Sequence, residues 1–144
     1  MTTGLTAKVT ININKPATIV WDALTNPGII KQYLFGTHAV SDWKEGSSLT
    51  FTGEWEGKQY EDKGTILESK PGKLLRYTYL SSMSGLEDKP ENYADISYEL
   101  DENNGSTTLT ITQSNIANEK AREHSGQNWQ YVLNTMKEVL EKQA

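Results

Sequence analysis

The chain has 144 residues, no cysteine and a formal net charge of −5, with 14 Lys and Arg against 19 Asp and Glu. That length suits one domain, 1–144, around one core, and the missing cysteines exclude disulfides and thiolate chemistry. No basic cluster points to nucleic acid, and no apolar run approaches a membrane span or a signal-peptide core, so a cytoplasmic protein without membrane insertion is expected.

Residues Leu5 to Ile13 alternate, with Ala7, Val9, Ile11 and Ile13 on one face, which reads as a half-buried strand. Pro16 then opens a short helix whose inner face is Ala17, Val20, Trp21 and Leu24. Asn26-Pro27-Gly28 stops it and starts a second, which buries Ile30, Tyr33 and Leu34 and ends at Gly36. Two short helices joined this closely make a V. A loop with His38 and Trp43 follows, and Gly46 turns the chain. Leu49, Phe51, Gly53 and Trp55 then share a strand face. Glu56-Gly57 makes a hairpin into a strand from Lys58 to Glu68, where Tyr60, Asp62, Gly64 and Ile66 share a face. After Pro71-Gly72, Leu75, Tyr77 and Tyr79 alternate with polar neighbours.

The pattern lapses from Ser81 to Asn92, which is long for a hairpin connection and reads as either a floppy excursion or a lid. Two strands follow around Asn103-Asn104-Gly105, placing Ile96, Tyr98 and Leu100 opposite Leu109 and Ile111. Ser114 to Ala117 connects to a tail helix from about Asn118 to Lys142. There Trp129, Val132, Leu133, Met136, Val139 and Leu140 form one apolar stripe, and Asn118 can cap the first amides. The expected fold is α+β, a helix-grip: a curved six-stranded antiparallel sheet around a long C-terminal helix, with two short helices after the first strand. A curved sheet cannot touch a straight rod everywhere, so a cavity is expected between them, closed by the helical V.

This layout resembles the helix-grip superfamily, also called START-like, birch-pollen-allergen-like or SRPBCC. Within it the chain is most similar to the domain named for activators of the heat-shock protein 90 ATPase. The resemblance is carried by Lys15-Pro16-Ala17 through Trp21-Asp22-Ala23-Leu24, by Asp42-Trp43-Lys44-Glu45-Gly46-Ser47, and by Gly53-Glu54-Trp55-Glu56-Gly57 with Tyr60-Glu61-Asp62-Lys63-Gly64. Leu75-Arg76-Tyr77, Glu91-Asn92-Tyr93, Tyr98-Glu99-Leu100, Leu109-Thr110-Ile111-Thr112-Gln113 and Ala121-Arg122-Glu123-His124 to Trp129 complete it. The resemblance implies the fold, and with it apolar-ligand binding, lipid transfer, polyketide cyclisation or co-chaperone activity.

The expected cavity lining is Trp21, Tyr33, Phe51, Trp55, Tyr60, Asp62, Tyr77, Tyr79, Tyr98, Trp129 and Leu133. Rings with a polar tip suit a wall that holds a small apolar or aromatic molecule, or a core with no space left. An inward Asp62 would need hydrogen bonds; a solvated Asp62 near a twisted sheet edge is the favoured alternative. His38 and His124 stand apart with no partner at ligand spacing, so no metal site is expected. No nucleophile triad, phosphate loop or paired-carboxylate motif is present, so neither a cofactor nor a catalytic residue is assigned. A ligand-binding domain therefore leads. A chaperone-associated or stress-response module stands second, and an enzyme using Asp62, Tyr60 or His124 for acid–base chemistry third.

Overall fold

The computed structural model describes residues 5–34, 36–82 and 85–142, with the Trp55 side chain outside the description. The elements run β1 (Leu5–Ile13), α1 (Ala17–Thr25), α2 (Pro27–Tyr33), β2 (His38–Ser41), β3 (Ser48–Trp55), β4 (Lys58–Lys70), β5 (Leu74–Tyr79), a single 3-10 turn (Pro90–Asn92), β6 (Ala94–Asn103), β7 (Ser106–Ile116) and α3 (Glu119–Glu141). The strands form one open antiparallel sheet in the order β1-β7-β6-β5-β4-β3-β2.

The sheet has seven strands rather than the six expected. The extra one is β2, read from the sequence as loop because only four residues pair and only Ala39 among them is buried. A strand this short blunts the sheet edge it occupies. β7 also extends to Ile116, into the expected connector, with Asn115 at φ 65 where its register against β1 shifts.

Asn118 caps α3 as expected, accepting from the amide of Ala121 at 2.8 Å. α1 has no cap of its own, because Pro16 precedes it. Glu102 of β6 supplies one, accepting from the Ala17 amide at 2.6 Å, where a carboxylate also favours the helix dipole. Asn26 serves both short helices: its backbone ends α1 and its side chain accepts from Gly28 to start α2. Gly36, at φ 76, ends the second helix as the sequence suggested.

Packing uses the faces that alternation predicted. Val132, Leu133, Met136 and Leu140 of α3 are buried against β1 and β7. Lys137 and Glu141 fasten that end of the helix, Lys137 to the Asn12 carbonyl and Glu141 to the Asn14 amide. No residue of α3 before Val132 is fully buried, and half-buried Trp129 is the residue of that first half that packs against the core. The core is continuous from α3 through the inner sheet face to α1 and α2.

β4 changes its pairing partner along its length. Residues 58–65 pair with β3, whereas 66–70 pair with β5. At the changeover a Cβ on Gly64 would fall on the carbonyl oxygen of Thr78, so only glycine allows the strands to approach this closely. The edge of β4 before Lys63 is left without β5, and the chain after β5 folds back onto it.

Candidate functional site: a small void beneath the helical V

The inner sheet face carries a row of rings. Phe51 lies 5.9 Å from Tyr79 and 6.0 Å from Tyr77, ring centre to ring centre. Tyr77 lies 5.7 Å from Tyr98, and Tyr98 meets Trp129 edge-on at 6.0 Å. Alternation puts these rings on one face, and the strand register sets Leu75 opposite Tyr98 and Tyr77 opposite Ile96, so neighbouring rings interleave.

Each polar tip in the row has a partner. Tyr77 and Tyr98 share a hydrogen bond of 2.7 Å between their hydroxyls. Trp129 donates its indole N–H to Gln113 Oε1 at 2.7 Å. Tyr79 donates to Asp62 Oδ2 at 2.5 Å, and Ser82 gives Asp62 Oδ1 both its backbone amide and its hydroxyl. Across from the row, Tyr33 of α2 donates to the Ala23 carbonyl at 2.8 Å and binds the two arms of the V to each other. Burial pushes the hydroxyls of Tyr33, Tyr77 and Tyr98 above the usual tyrosine range, so all three stay neutral. Tyr79 is raised by burial and then by the Asp62 carboxylate beside it.

Asp62 corrects one expectation. It is 7% exposed, not solvated. The loop after β5 returns to the free edge of β4 and brings Ser82 to it, so three donors offset the cost of burying a carboxylate.

Between the row and the V lies a void of about 10 Å³, room for a single water. Its described walls are Leu24, Ile30, Tyr33 and Leu34 on one side and Trp43, Phe51, Tyr77 and Tyr98 on the other. A larger hollow, about 640 Å³, lies on the opposite face, lined among others by Thr50, Thr65, Thr78 and Tyr93. It is an open surface groove away from the rings. There Lys63 pairs with Asp88, which also accepts from Tyr93 at 2.5 Å.

The residues expected to line a cavity separate into groups. Tyr33, Phe51, Tyr77 and Tyr98 do line the void. Tyr79 with Asp62, and Trp129, stand at the two ends of the row. Tyr60 lies over Gly53 and bonds the hydroxyl of Thr37 at 2.6 Å. Leu133 is fully buried under α3, and Trp21 is half-buried against the core. The Trp55 side chain lies outside the described residues. The expected cavity against the tail helix is also displaced: no described residue of α3 lines the void, which sits against α1 and α2. The acid–base candidates are not assembled, since Tyr60 and Asp62 hold different partners and His124 is exposed. Among the described residues no group of three or more His, Cys, Asp or Glu could hold a metal.

Trp43 had no assigned role in the sequence. Its φ is 58, a left-handed conformation that a bulky residue rarely adopts. Two bonds hold it there: its amide donates to Ser41 Oγ at 3.0 Å, and its carbonyl accepts from Ser69 Oγ at 2.8 Å. Half-buried Trp43 and Leu34 thus form the rim of the void.

Residues 14–141 match the family described as Activator of Hsp90 ATPase homolog 1-like protein. The chain belongs to that family. No curated protein matches it. A protein of Cytophaga hutchinsonii with a solution structure is 46% identical over 95% of this chain and 94% of its own, with a TM-score of 0.84. The Aha1 dimer of Colwellia psychrerythraea is 18% identical over 96% of this chain and 97% of its own (TM-score 0.75). CalU16 of Micromonospora echinospora is 19% identical over 96% and 78% (TM-score 0.72). At those identities the last two establish the fold alone. It is a fold consistent with ligand binding. No helix among the described residues is long and apolar enough to cross a membrane.

Proposed function

We propose that this protein is a binding domain for a small, mainly apolar or aromatic molecule, taken up beneath the helical V against the Phe51–Tyr77–Tyr98 row. The void carries this reading. It is walled by rings and aliphatic side chains, and its rim residue is held in a strained backbone conformation, as ligand clamps often are. At about 10 Å³ it is too small for such a molecule, so uptake requires the V to lift. α2 is suited to that. It is seven residues long, buries only Ile30 and Tyr33, and is tied to α1 through the Tyr33–Ala23 bond, so the two helices can move together. NMR titration with neutral aromatics, flavonoids, polyketides and fatty acids tests the reading. Resonances of Ile30, Tyr33, Trp43, Phe51, Tyr77 and Tyr98 should shift together; if no compound moves them, the reading falls.

A second reading, a chaperone-associated interaction module, draws support from the nearly filled core and from exposed Val40 and Leu67 on the sheet. Calorimetry against purified heat-shock protein 90 tests it, and absence of binding heat would remove it.

A further inference from the structure

The Tyr77–Tyr98 pair holds a hydrogen that its surroundings do not use. Two hydroxyls in contact own two hydrogens, and only one can lie between them. Whichever ring donates, its partner's hydrogen points elsewhere. Among the described residues neither tyrosine makes another hydrogen bond. The rings are 3% and 5% exposed, and both line the void. Of the other side chains there, Leu24, Ile30, Leu34, Phe51 and Trp43 carry no strong acceptor, and the Tyr33 hydroxyl bonds to Ala23 rather than to the pair. Among the described residues the void therefore presents one buried donor with no protein acceptor, which a water or a ligand oxygen can satisfy.

The charge of the surroundings narrows the partner further. Among the described residues no Lys or Arg is buried, and the one buried carboxylate, Asp62, already has three donors. An anion or a cation would lose its hydration there without a counter-charge.

Resting on the binding reading above, we infer that the ligand is a neutral molecule with a hydrogen-bond acceptor, of aryl-ketone type, whose oxygen takes the unspent hydrogen of the Tyr77–Tyr98 pair. A fatty-acid anion is the wrong ligand, and a pure hydrocarbon leaves the hydrogen unmatched.

Three probes of one shape test this: 2-acetonaphthone, 2-ethylnaphthalene and 2-naphthoate. Their affinities are measured on the wild type, on Tyr77→Phe, on Tyr98→Phe and on the double variant, each first checked for folding by circular dichroism. Each single variant keeps one hydroxyl with its hydrogen unspent, so the ketone-to-hydrocarbon affinity ratio should persist. The double variant has none, and the ratio should fall roughly tenfold, the usual effect of an unmatched buried donor. Naphthoate should bind the wild type at least about tenfold more weakly than the ketone. The carbonyl stretch of bound 2-acetonaphthone should sit below its value in hexane, a readout that needs no variant. An unchanged ratio in the double variant, an unshifted stretch, or naphthoate binding as well as the ketone overturns the inference while leaving the binding reading intact. If 2-acetonaphthone does not bind the wild type while another compound of the titration panel does, this inference falls alone; if no compound of either set binds, the binding reading falls with it.

Discussion

Replacing Trp43 by alanine and, separately, by glycine isolates the strain at the rim of the void. Both variants lose the half-buried indole. Full burial of a Trp is worth about 3–5 kcal/mol on truncation, so a half-buried one costs roughly 1–3 kcal/mol. The two variants differ only in backbone. Alanine must hold φ 58, which costs an L-residue about 1–2 kcal/mol that glycine escapes. Glycine gives back about 0.4–1 kcal/mol through its freer unfolded chain. The balance makes Trp43→Gly more stable than Trp43→Ala by about 0.5–1 kcal/mol, a few degrees in Tm for a chain of this size. At most strand and helix positions the order is the reverse, because glycine there is the poorer residue. Urea and thermal unfolding followed by circular dichroism measure both variants. If alanine proves the more stable, Trp43 is not held left-handed and the argument for a strained rim is wrong.

Gly64→Ala should cost about 3 kcal/mol or more, because the Thr78 carbonyl in its way is backbone and cannot swing aside; a loss under about 0.5 kcal/mol by urea titration would mean that β4 and β5 do not approach this closely there. Leu133→Ala should cost about 2–5 kcal/mol on the same assay, since the side chain is fully buried between α3 and the sheet. Stability should fall as pH rises past 10.0, where phenols of the unfolded chain ionise while Tyr33, Tyr77 and Tyr98, held higher by burial, keep their protons. The loss reaches about 1.4 kcal/mol per pH unit for each of them, read from denaturation midpoints across that range; a flat profile would show the three are not buried.

Much of this was legible because local pattern and tertiary outcome agree. The α3 stripe, its Asn118 cap and the inward Tyr77 and Tyr98 follow from periodicity and one capping residue. β2 was not legible, since four residues with one buried side chain carry no period. Asp62 was misjudged because its donors, Tyr79 and Ser82, arrive through a strand changeover that no local window contains. The void was sought against α3, yet the straight apolar stripe there fills its space with Val132, Leu133 and Met136. What remains open depends on how the V sits over the sheet, and on a left-handed Trp43 fixed by Ser41 and Ser69, neither of which a sequence period records.

The most direct test of where a ligand sits is a set of intermolecular NOEs from bound 2-acetonaphthone. The account predicts contacts to the methyls of Leu24 and Ile30 and to the rings of Phe51 and Tyr98. Contacts confined to Thr50, Thr65 and Tyr93, in the groove on the opposite face, would contradict it.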